Sequence, residues 1–362
     1  MRRRCRPVSD HARTQARDAD LDSRVRADHS RDRSFHQLMH ALSEPSRPWI
    51  LTCDLGGTRM KIGVVAGHEV IAHTVEPAHS KLGLAPQLPV LESAWRRLLD
   101  PLGMSVADCA GVSVSFPSII DRTSGRVIAD YGKFSDACGI DLREWARAVF
   151  GLPLAIENDA RMAMIGEWKH GAGMGCDDLV MMTLGTGLGT SAVIEGRVLH
   201  GKHGQAGIMG GHLTMAPDGR RCVCGNIGCA ETEASTAALP ALARECPAWL
   251  QSTLRDEATL DYAAVFSHAA AGDTCAIHLR DHSLKIWSAL AVNLIHAYDP
   301  QRVILGGGIM ASADVILPAV RAHVERHAHT PWGKAEVVAS ELGDRAALVA
   351  GRWLLDEQFP NR

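Results

Sequence analysis

Short apolar runs alternate with helical stripes of hydrophobic residues along most of the chain, from residue 48 onward. The segment WILTCDLGGTRMKIGVV predicts a strand, a glycine turn and a second strand, and DLVMMTLGTGLGTSAVIEGRVL repeats this pattern in the second half. Helical stripes such as LAPQLPVLESAWRRLLDPLG and HSLKIWSALAVNLIHAYD separate the strands. Strands that alternate with helices are typical of α/β proteins. The repeated opening predicts two similar lobes that face each other across a cleft.

The same pattern predicts where the domains begin and end. Residues 1–47 are crowded with Arg, Asp, His and Ser and have almost no apolar periodicity, so we expect a disordered tail. Residues 48–157 are predicted to form an N-terminal α/β lobe, and residues 158–344 a C-terminal α/β lobe. The closing helix, 345–358, is expected to pack back on the N-terminal lobe.

Composition narrows the class of protein. The chain has 362 residues, which is long enough for two hydrophobic cores. Its hydrophobic fraction of 46% and its charged fraction of 22% are those of ordinary globular proteins. A net charge of −3 gives no indication of a nucleic-acid or membrane-surface partner. No apolar stretch is long enough to span a bilayer, and none follows the Arg-rich start as in a secretory signal. We therefore expect a cytoplasmic protein without a specific nucleic-acid or membrane partner.

Both glycine turns have the composition of a phosphate site. Their residues with suitable chemistry are Asp54, Gly56, Gly57 and Thr58 in the first turn and Thr186, Gly187 and Gly189 in the second. Glycine lets backbone N–H groups converge on phosphate oxygens, and a threonine hydroxyl adds a donor. An aspartate can bind the water shell of Mg²⁺. Neither turn is a Walker A loop or a dinucleotide fingerprint. Plain β-hairpins, in which glycine serves backbone geometry alone, are the alternative.

A third glycine cluster follows the strand QRVIL. Gly306 and Gly307 would let a nucleotide base or ribose lie against the chain, although a glycine run alone is weak evidence. The turns would bind phosphate and not adenine specifically, so polyphosphate is an alternative to a nucleotide as the phosphoryl donor. The sequence shows no basic cluster at the turns that would support it.

One histidine and three cysteines form a candidate metal site. His212, Cys222, Cys224 and Cys229 have the spacing H-x9-C-x-C-x4-C. Three thiolates and one imidazole make a complete tetrahedral Zn²⁺ set with no open position, which predicts a structural zinc ion. In a chain without an export signal, bunched cysteines favour metal ligation over disulfides. Buried, reduced cysteines near an unrelated histidine are the alternative.

Asn158 and Asp159 come where the strand PLAIEND runs into the helix ARMAMIGEWKHG. The carboxyl ends of strands are where α/β proteins bind their ligands. A kinase for an alcohol needs a base near the attacking hydroxyl. Asp159 is a candidate for that base, and Asn158 could bind a neighbouring hydroxyl. Either residue could instead cap the helix, and the spacing alone favours the cap.

Together these motifs resemble the ROK family of bacterial sugar kinases, open reading frames and sugar-responsive repressors. The matching pieces are DLGGTRMKIGVV, PLAIENDARMA, LGTGLGTSAVI, GGHLTMAPDGRRCVCGNIGCAETEAS and DPQRVILGGG, in the family's order. The resemblance implies an actin/hexokinase-like (ribonuclease H-like) ATPase fold with two α/β lobes and a small zinc-binding insert at 212–229. It implies a homodimeric, ATP-dependent sugar kinase that needs Mg²⁺, with ATP phosphates on the two turns. Asp159 would be the general base, and Asn158, His212 and Glu231 would contact sugar hydroxyls.

One position departs from the family's pattern. Family kinases usually carry Glu-x-Gly-His, whose glutamate binds the sugar, whereas Met209 takes that position in AGIMGGH. A thioether cannot accept a hydroxyl hydrogen bond as a carboxylate does, so we expect a preferred sugar other than plain glucose. If Gln205 or a nearby backbone group takes over the contact, glucose stays acceptable.

Two further functions compete with the kinase. A sugar-responsive repressor of the same family would need a winged helix-turn-helix, and residues 1–47 lack the apolar periodicity of such a domain. A catalytically silent sugar-binding protein is favoured by Met209. The presence of Asp159 and of both glycine turns favours an active kinase over a silent binding protein.

Overall fold

The first sheet is built around the first glycine turn. The computed structural model describes residues 49–360, so the predicted tail, 1–47, lies outside the described residues. Three antiparallel strands open the chain: β1 (Trp49–Leu55), β2 (Arg59–Ala66) and β3 (Glu69–Pro77). A small hairpin pairs β5 (Ile120–Asp121) with β6 (Arg126–Val127). Two parallel strands complete the sheet, β4 (Cys109–Phe116) and β7 (Leu154–Asn158), in the order β3–β2–β1–β4–β7.

The second sheet repeats this arrangement around the second glycine turn. Its strands are β8 (Leu179–Leu184), β9 (Leu188–Ile194), β10 (Arg197–Val198), β11 (Arg302–Gly306) and β12 (Glu336–Ala339). β8 to β10 are antiparallel, and β11 and β12 add in parallel, which gives the order β10–β9–β8–β11–β12. Mixed sheets with crossover helices confirm the predicted α/β class.

The described part of the chain contains ten α-helices. Those in the first half are α1 (Leu88–Leu99), α2 (Leu142–Phe150) and α3 (Asp159–His170). Between β10 and β11 come α4 (Ala230–Ala234), α5 (Leu239–Glu245), α6 (Tyr262–Ala270) and α7 (Thr274–Tyr298). The last are α8 (Ala313–His327), α9 (Ala346–Val349) and α10 (Gly351–Gln358). None of the described helices combines the length and apolar character needed to cross a bilayer.

Local chemistry explains where several helices begin and end. Asp141 caps α2 through the backbone N–H of Glu144, and Gly151 ends α2 in the left-handed conformation at a φ of 66°. The long helix α7 begins eight residues before the apolar stripe that predicts it, because Asp273 caps it there and accepts from the N–H of Ala276. The predicted closing helix is two short helices, α9 and α10, with a break at Ala350.

A buried cluster that includes residues of both sheets surrounds helix α3. It contains Ile50 of β1, Met164 of α3 and Met181 of β8. A side chain on Gly166 would lie 2.0 Å from the carbonyl oxygen of Ala346, so only glycine lets α3 and α9 approach this closely. The N-terminus of α3 is thereby fixed where the two sheets approach each other. The predicted limits of the two lobes, at residues 157 and 344, stay a prediction.

Candidate active site

Asn158 and Asp159 take different roles at the start of α3. Asn158 is the N-cap, since its side-chain oxygen accepts from the N–H groups of Ala160 and Arg161 at 3.1 and 3.3 Å. Its amide nitrogen donates to the backbone oxygen of Ser118 and to the Asp159 carboxylate. Asp159 also accepts from the Ala160 N–H at 2.8 Å, and its side chain is half-buried. The capping alternative therefore applies to Asn158, which leaves Asp159 as the acid–base candidate.

The surroundings of Asp159 favour its protonated form more than water does. Burial raises the pKa of Asp159 from its ordinary value of 3.8 to about 6. The ammonium of Lys133 opposes this effect, and the carboxylate of Asp54 adds to it. A carboxylate whose pKa lies near neutral pH is well suited to accept a proton from an alcohol.

Charged side chains converge on the first glycine turn. Asp54 lies at the end of β1, where it accepts from the hydroxyl of Ser115 at 2.7 Å and pairs with the ammonium of Lys61 at 3.3 Å. The N–H of Gly56 donates to the backbone oxygen of Arg59 at 2.9 Å and closes the turn. Lys61 and a second lysine, Lys133, bring positive charge to this turn. The sequence-based expectation that nothing basic lies there is wrong.

Lys133 is a residue that the sequence analysis missed. Its side chain lies across Gly57: a Cβ atom on Gly57 would be 2.9 Å from the Cε atom of Lys133 and 3.5 Å from its Nζ atom. Lys133 is distant from the turn in the chain, and no motif includes it. It is part of the segment between β6 and α2, whose path is decided by tertiary packing.

The second glycine turn is stabilised by backbone bonds and one carboxylate. The backbone oxygens of Gly185 and Thr186 accept from the N–H groups of Thr236 and Ala237, both at 3.0 Å. Glu231 of α4 accepts from the N–H of Leu188 at 2.9 Å. The predicted sugar ligand Glu231 therefore contacts the second turn in this structure. The two threonines that were predicted to donate to phosphate, Thr58 and Thr186, are both exposed.

The third glycine cluster lies beside the second turn. Gly307 has a φ of 90°, which favours glycine, and follows β11 directly. A side chain on Gly307 would come within 2.3 Å of the backbone oxygen of Leu184, the last residue of β8. The structure therefore brings Gly306 and Gly307 together with the turn that contains Thr186, Gly187 and Gly189, although they are far apart in the chain.

The four candidate metal ligands form one cluster. The ligand atoms of His212, Cys222, Cys224 and Cys229 all lie within 4.8 Å of one another. The two sulfurs of Cys224 and Cys229 are 3.7 Å apart, and the sulfur of Cys222 is 3.4 Å from Nδ1 of His212. A tetrahedral Zn²⁺ with bonds of about 2.3 Å to sulfur and about 2.0 Å to nitrogen separates its ligands by about 3.8 and 3.5 Å. The cluster therefore has the dimensions of a zinc site.

A buried ionic network behind Asp159 is a second feature that the sequence analysis missed. Glu157 accepts from Arg161 at 3.0 Å and from Nε2 of His200 at 2.8 Å. Arg161 also donates to the backbone oxygens of Leu199, Gly204 and Ala206. Burial would raise the pKa of Glu157, but the hydrogen bond from His200 and the charge of Arg161 keep it below its ordinary value. The network joins the start of α3 to the loop 199–206.

The loop 199–206 leads to Met209, in the short helical turn Ile208–His212. Thr190 of β9 fixes this turn, since its hydroxyl donates to the oxygen of Gly207 and accepts from the N–H of Gly210. Met209 is half-buried, whereas Gln205, the residue that could replace the missing carboxylate, is exposed.

The chain is similar to known glucokinases and to a sugar repressor. A glucokinase from Halalkalibacterium halodurans is 29% identical over 321 residues, which cover 86% of this chain and 96% of that protein. The crystal structure of a ROK family glucokinase from Streptomyces griseus, in complex with glucose and AMPPNP, matches with a TM-score of 0.72 and 26% identity, covering 84% of this chain and 98% of that one. The xylose repressor of Bacillus subtilis is 29% identical over 251 residues, or 69% of this chain and 62% of the repressor. Residues 50–358 match the family model described as the ROK family, and the chain therefore belongs to that family.

Proposed function

We propose that this protein is an ATP-dependent sugar kinase, a phosphotransferase that acts on a hydroxyl of a hexose or hexose derivative. The observation that carries this proposal is Asp159, a half-buried carboxyl group with a pKa of about 6 close to the first glycine turn. The glucokinase from H. halodurans matches almost over its full length, which supports the same activity.

The proposed reaction assigns a role to each of these residues. The sugar hydroxyl oxygen forms a bond to the γ-phosphorus of ATP while its proton passes to the carboxylate of Asp159. The bond between the γ-phosphorus and the bridging oxygen breaks, and ADP leaves with the electron pair. Backbone N–H groups of the two turns and of Gly306 and Gly307 would bind the nucleotide. Asp54 would bind the water shell of Mg²⁺, which neutralises phosphate charge when it is present.

The sugar would lie between the start of α3 and the metal segment. Asn158, His212 and Glu231 are the proposed contacts to its hydroxyls. His212 turns Nδ1 toward the sulfurs, so its other ring nitrogen is the one proposed for the sugar. Glu231 would then exchange its bond with the Leu188 N–H, or share it, when a sugar binds.

His212, Cys222, Cys224 and Cys229 are proposed to bind one structural Zn²⁺ ion. The interatomic distances support zinc, and four protein ligands leave no position for a reacting molecule. A homodimer and a cytoplasmic location are proposed with the family's kinases as the basis. A specific nucleic-acid partner is not expected.

The repressor is the second candidate, favoured by the similarity to the xylose repressor. Purified protein should be tested with ATP and with polyphosphate on hexoses, N-acetylhexosamines and ketohexoses, with Asp159→Asn as the inactive control. Sugar-dependent consumption of either donor would establish a kinase and identify the donor. Sugar binding without consumption of a donor would establish the silent binding protein. Sugar-sensitive binding to one DNA sequence would establish the repressor.

A further inference from the structure

Lys133 has no role in the reaction proposed above, although its side chain lies at the first glycine turn. Its aliphatic chain lies across Gly57 of the first turn, and its charge acts on Asp159. Among the residues that the structure describes, no ion pair joins Lys133 to a carboxylate, and Lys133 is half-buried. A lysine side chain that lies against a candidate phosphate-binding turn and whose charge acts on the candidate base is suited to bind a transferred phosphoryl group.

The backbone around Lys133 is fixed by contacts that serve this position. The next residue, Phe134, is buried and has a φ of 53°, a conformation that a bulky side chain rarely adopts. Its ring packs on Phe116 at a centroid distance of 5.5 Å, so it cannot move toward solvent without leaving the core. Such a conformation persists only where the surrounding packing imposes it, and it is common near functional sites.

Ser80 connects this segment directly to the first turn. Its hydroxyl donates to the backbone oxygen of Gly57 at 2.6 Å, and its backbone oxygen accepts from the N–H of Phe134 at 2.8 Å. Asp136 then accepts from the N–H groups of Leu84 and Ala85 and fixes the other end of the segment. Hydrogen bonds through Ser80 therefore connect the first turn to the segment that contains Lys133.

We propose that Lys133 is a catalytic residue that contacts the γ-phosphoryl group and stabilises the negative charge that it carries during transfer. The inference rests on the proposed kinase function. Lys133 remains an ammonium throughout, since the hydroxyl proton passes to Asp159 and the leaving electron pair to ADP. A donor aimed at charge in the transition state accelerates the reaction by about 10²- to 10³-fold.

The test replaces Lys133 with Met and with Arg, and it uses Lys81→Met as the control, because Lys81 is an exposed lysine of the neighbouring turn Ser80–Leu82. Lys133→Met should lower kcat by about a hundredfold or more, Lys133→Arg should restore part of it, and Lys81→Met should have no effect. Removal of the ammonium should also move the acid limb of the pH–rate profile to higher pH, because Lys133 lowers the pKa of Asp159. Unchanged kcat, or a loss confined to the KM for sugar, would overturn the proposal.

Nucleotide binding provides a readout that does not need turnover. Lys133→Met should weaken binding of AMPPNP by about tenfold or more and leave ADP binding unchanged, because only AMPPNP has a γ-phosphoryl group. One outcome is that the wild-type protein phosphorylates no sugar while Lys133→Met still weakens the binding of AMPPNP and not of ADP. That result would exclude the kinase function and support the role of Lys133 in γ-phosphate binding. Equal weakening of AMPPNP and ADP binding would contradict the proposed contact.

Discussion

The two glycine turns close equivalent hairpins in sheets of the same strand order, yet different parts of the chain stabilise them. Three charged side chains lie at the first turn, those of Asp54, Lys61 and Lys133. Backbone hydrogen bonds stabilise the second turn, and the carboxylate of Glu231 also accepts there from the N–H of Leu188. The two hairpins therefore share one backbone arrangement, and side chains from elsewhere in the chain give their turns different chemistry.

The difference extends to what each turn depends on. Ser80 connects the first turn to the Lys133 segment and so to the core of the first sheet. Glu231 follows Cys229 by two residues, so the second turn depends on the segment that contains the candidate zinc ligands. Loss of the metal should thus affect the second turn first, whereas loss of charge near Asp159 should affect the first.

The largest effect is expected from Cys224→Ser. Removal of one thiolate should prevent zinc binding, and structural zinc contributes on the order of 10 kcal/mol of folding free energy. Cys138→Ser, which changes an exposed cysteine, is the matched control. Metal analysis and thermal denaturation of both variants check this expectation. Folded wild-type protein that contains no zinc without prior chelation would rule out the metal site.

Asp159→Asn should abolish phosphoryl transfer and preserve the fold. Loss of a general base lowers kcat by about 10²- to 10⁴-fold. Asp177→Asn, at an exposed position, is the control. Since only the ionised carboxylate accepts a proton, wild-type kcat/KM should fall below pH about 6. Near-normal turnover in folded Asp159→Asn protein would remove Asp159 from the mechanism.

Asp159→Asn should also change the free energy of unfolding. The folded state raises the pKa of Asp159 above 3.8, so the ionised carboxylate costs folding free energy that appears as pH rises from 3.8 through about 6. Asp159→Asn should therefore be more stable than wild type by about 1–3 kcal/mol at pH 8 and equally stable at pH 3.5. Denaturant titrations at the two pH values check the sign. If Asp159→Asn is instead less stable than wild type at pH 8, the folded protein stabilises the ionised carboxylate of Asp159.

Arg161→Met tests the buried network that joins α3 to the loop 199–206. The substitution leaves the buried Glu157 without its arginine and the loop without three donors, which should cost about 3–5 kcal/mol. Arg352→Met removes a surface pair with Asp356 and should cost less than about 1 kcal/mol. Chemical denaturation compares the two. Equal, small losses would mean that the network does not support the site.

The smallest effect is expected from Met209→Glu. Restoring a carboxylate should raise kcat/KM for glucose by about ten- to hundredfold, since a hydrogen bond to a charged group contributes about 1.5–3 kcal/mol. Met174→Glu, at an exposed methionine, should change nothing. Steady-state kinetics on glucose and on epimeric or N-acetylated hexoses checks this. If glucose is already the best substrate of the wild type, Met209 does not disfavour glucose.

The sequence by itself determined the elements whose signals are local. Apolar runs predicted the hairpins β1–β2 and β8–β9 and the strands β7 and β11, whereas the edge strands β3 and β12 had no prediction. The ends of α2 are also local features, since Asp141 caps its start and Gly151 its end. The hairpins were predictable because a glycine turn and its flanking strands are adjacent in the chain. The spacing of His212 and the three cysteines indicated a cluster for the same reason. The start of α7 differs from the prediction because the cap at Asp273 precedes the apolar stripe. The closing helix differs because it breaks at Ala350.

Only the tertiary structure decided which distant side chains share the candidate site. Lys133 reaches Gly57, and Arg161 reaches the loop 199–206, through folding of the chain rather than through any motif. It also placed Glu231 on the second turn. Periodicity and capping depend on neighbours within a few residues, whereas desolvation and Coulomb interactions depend on distances in space. The pKa of Asp159 is therefore a property of the folded protein.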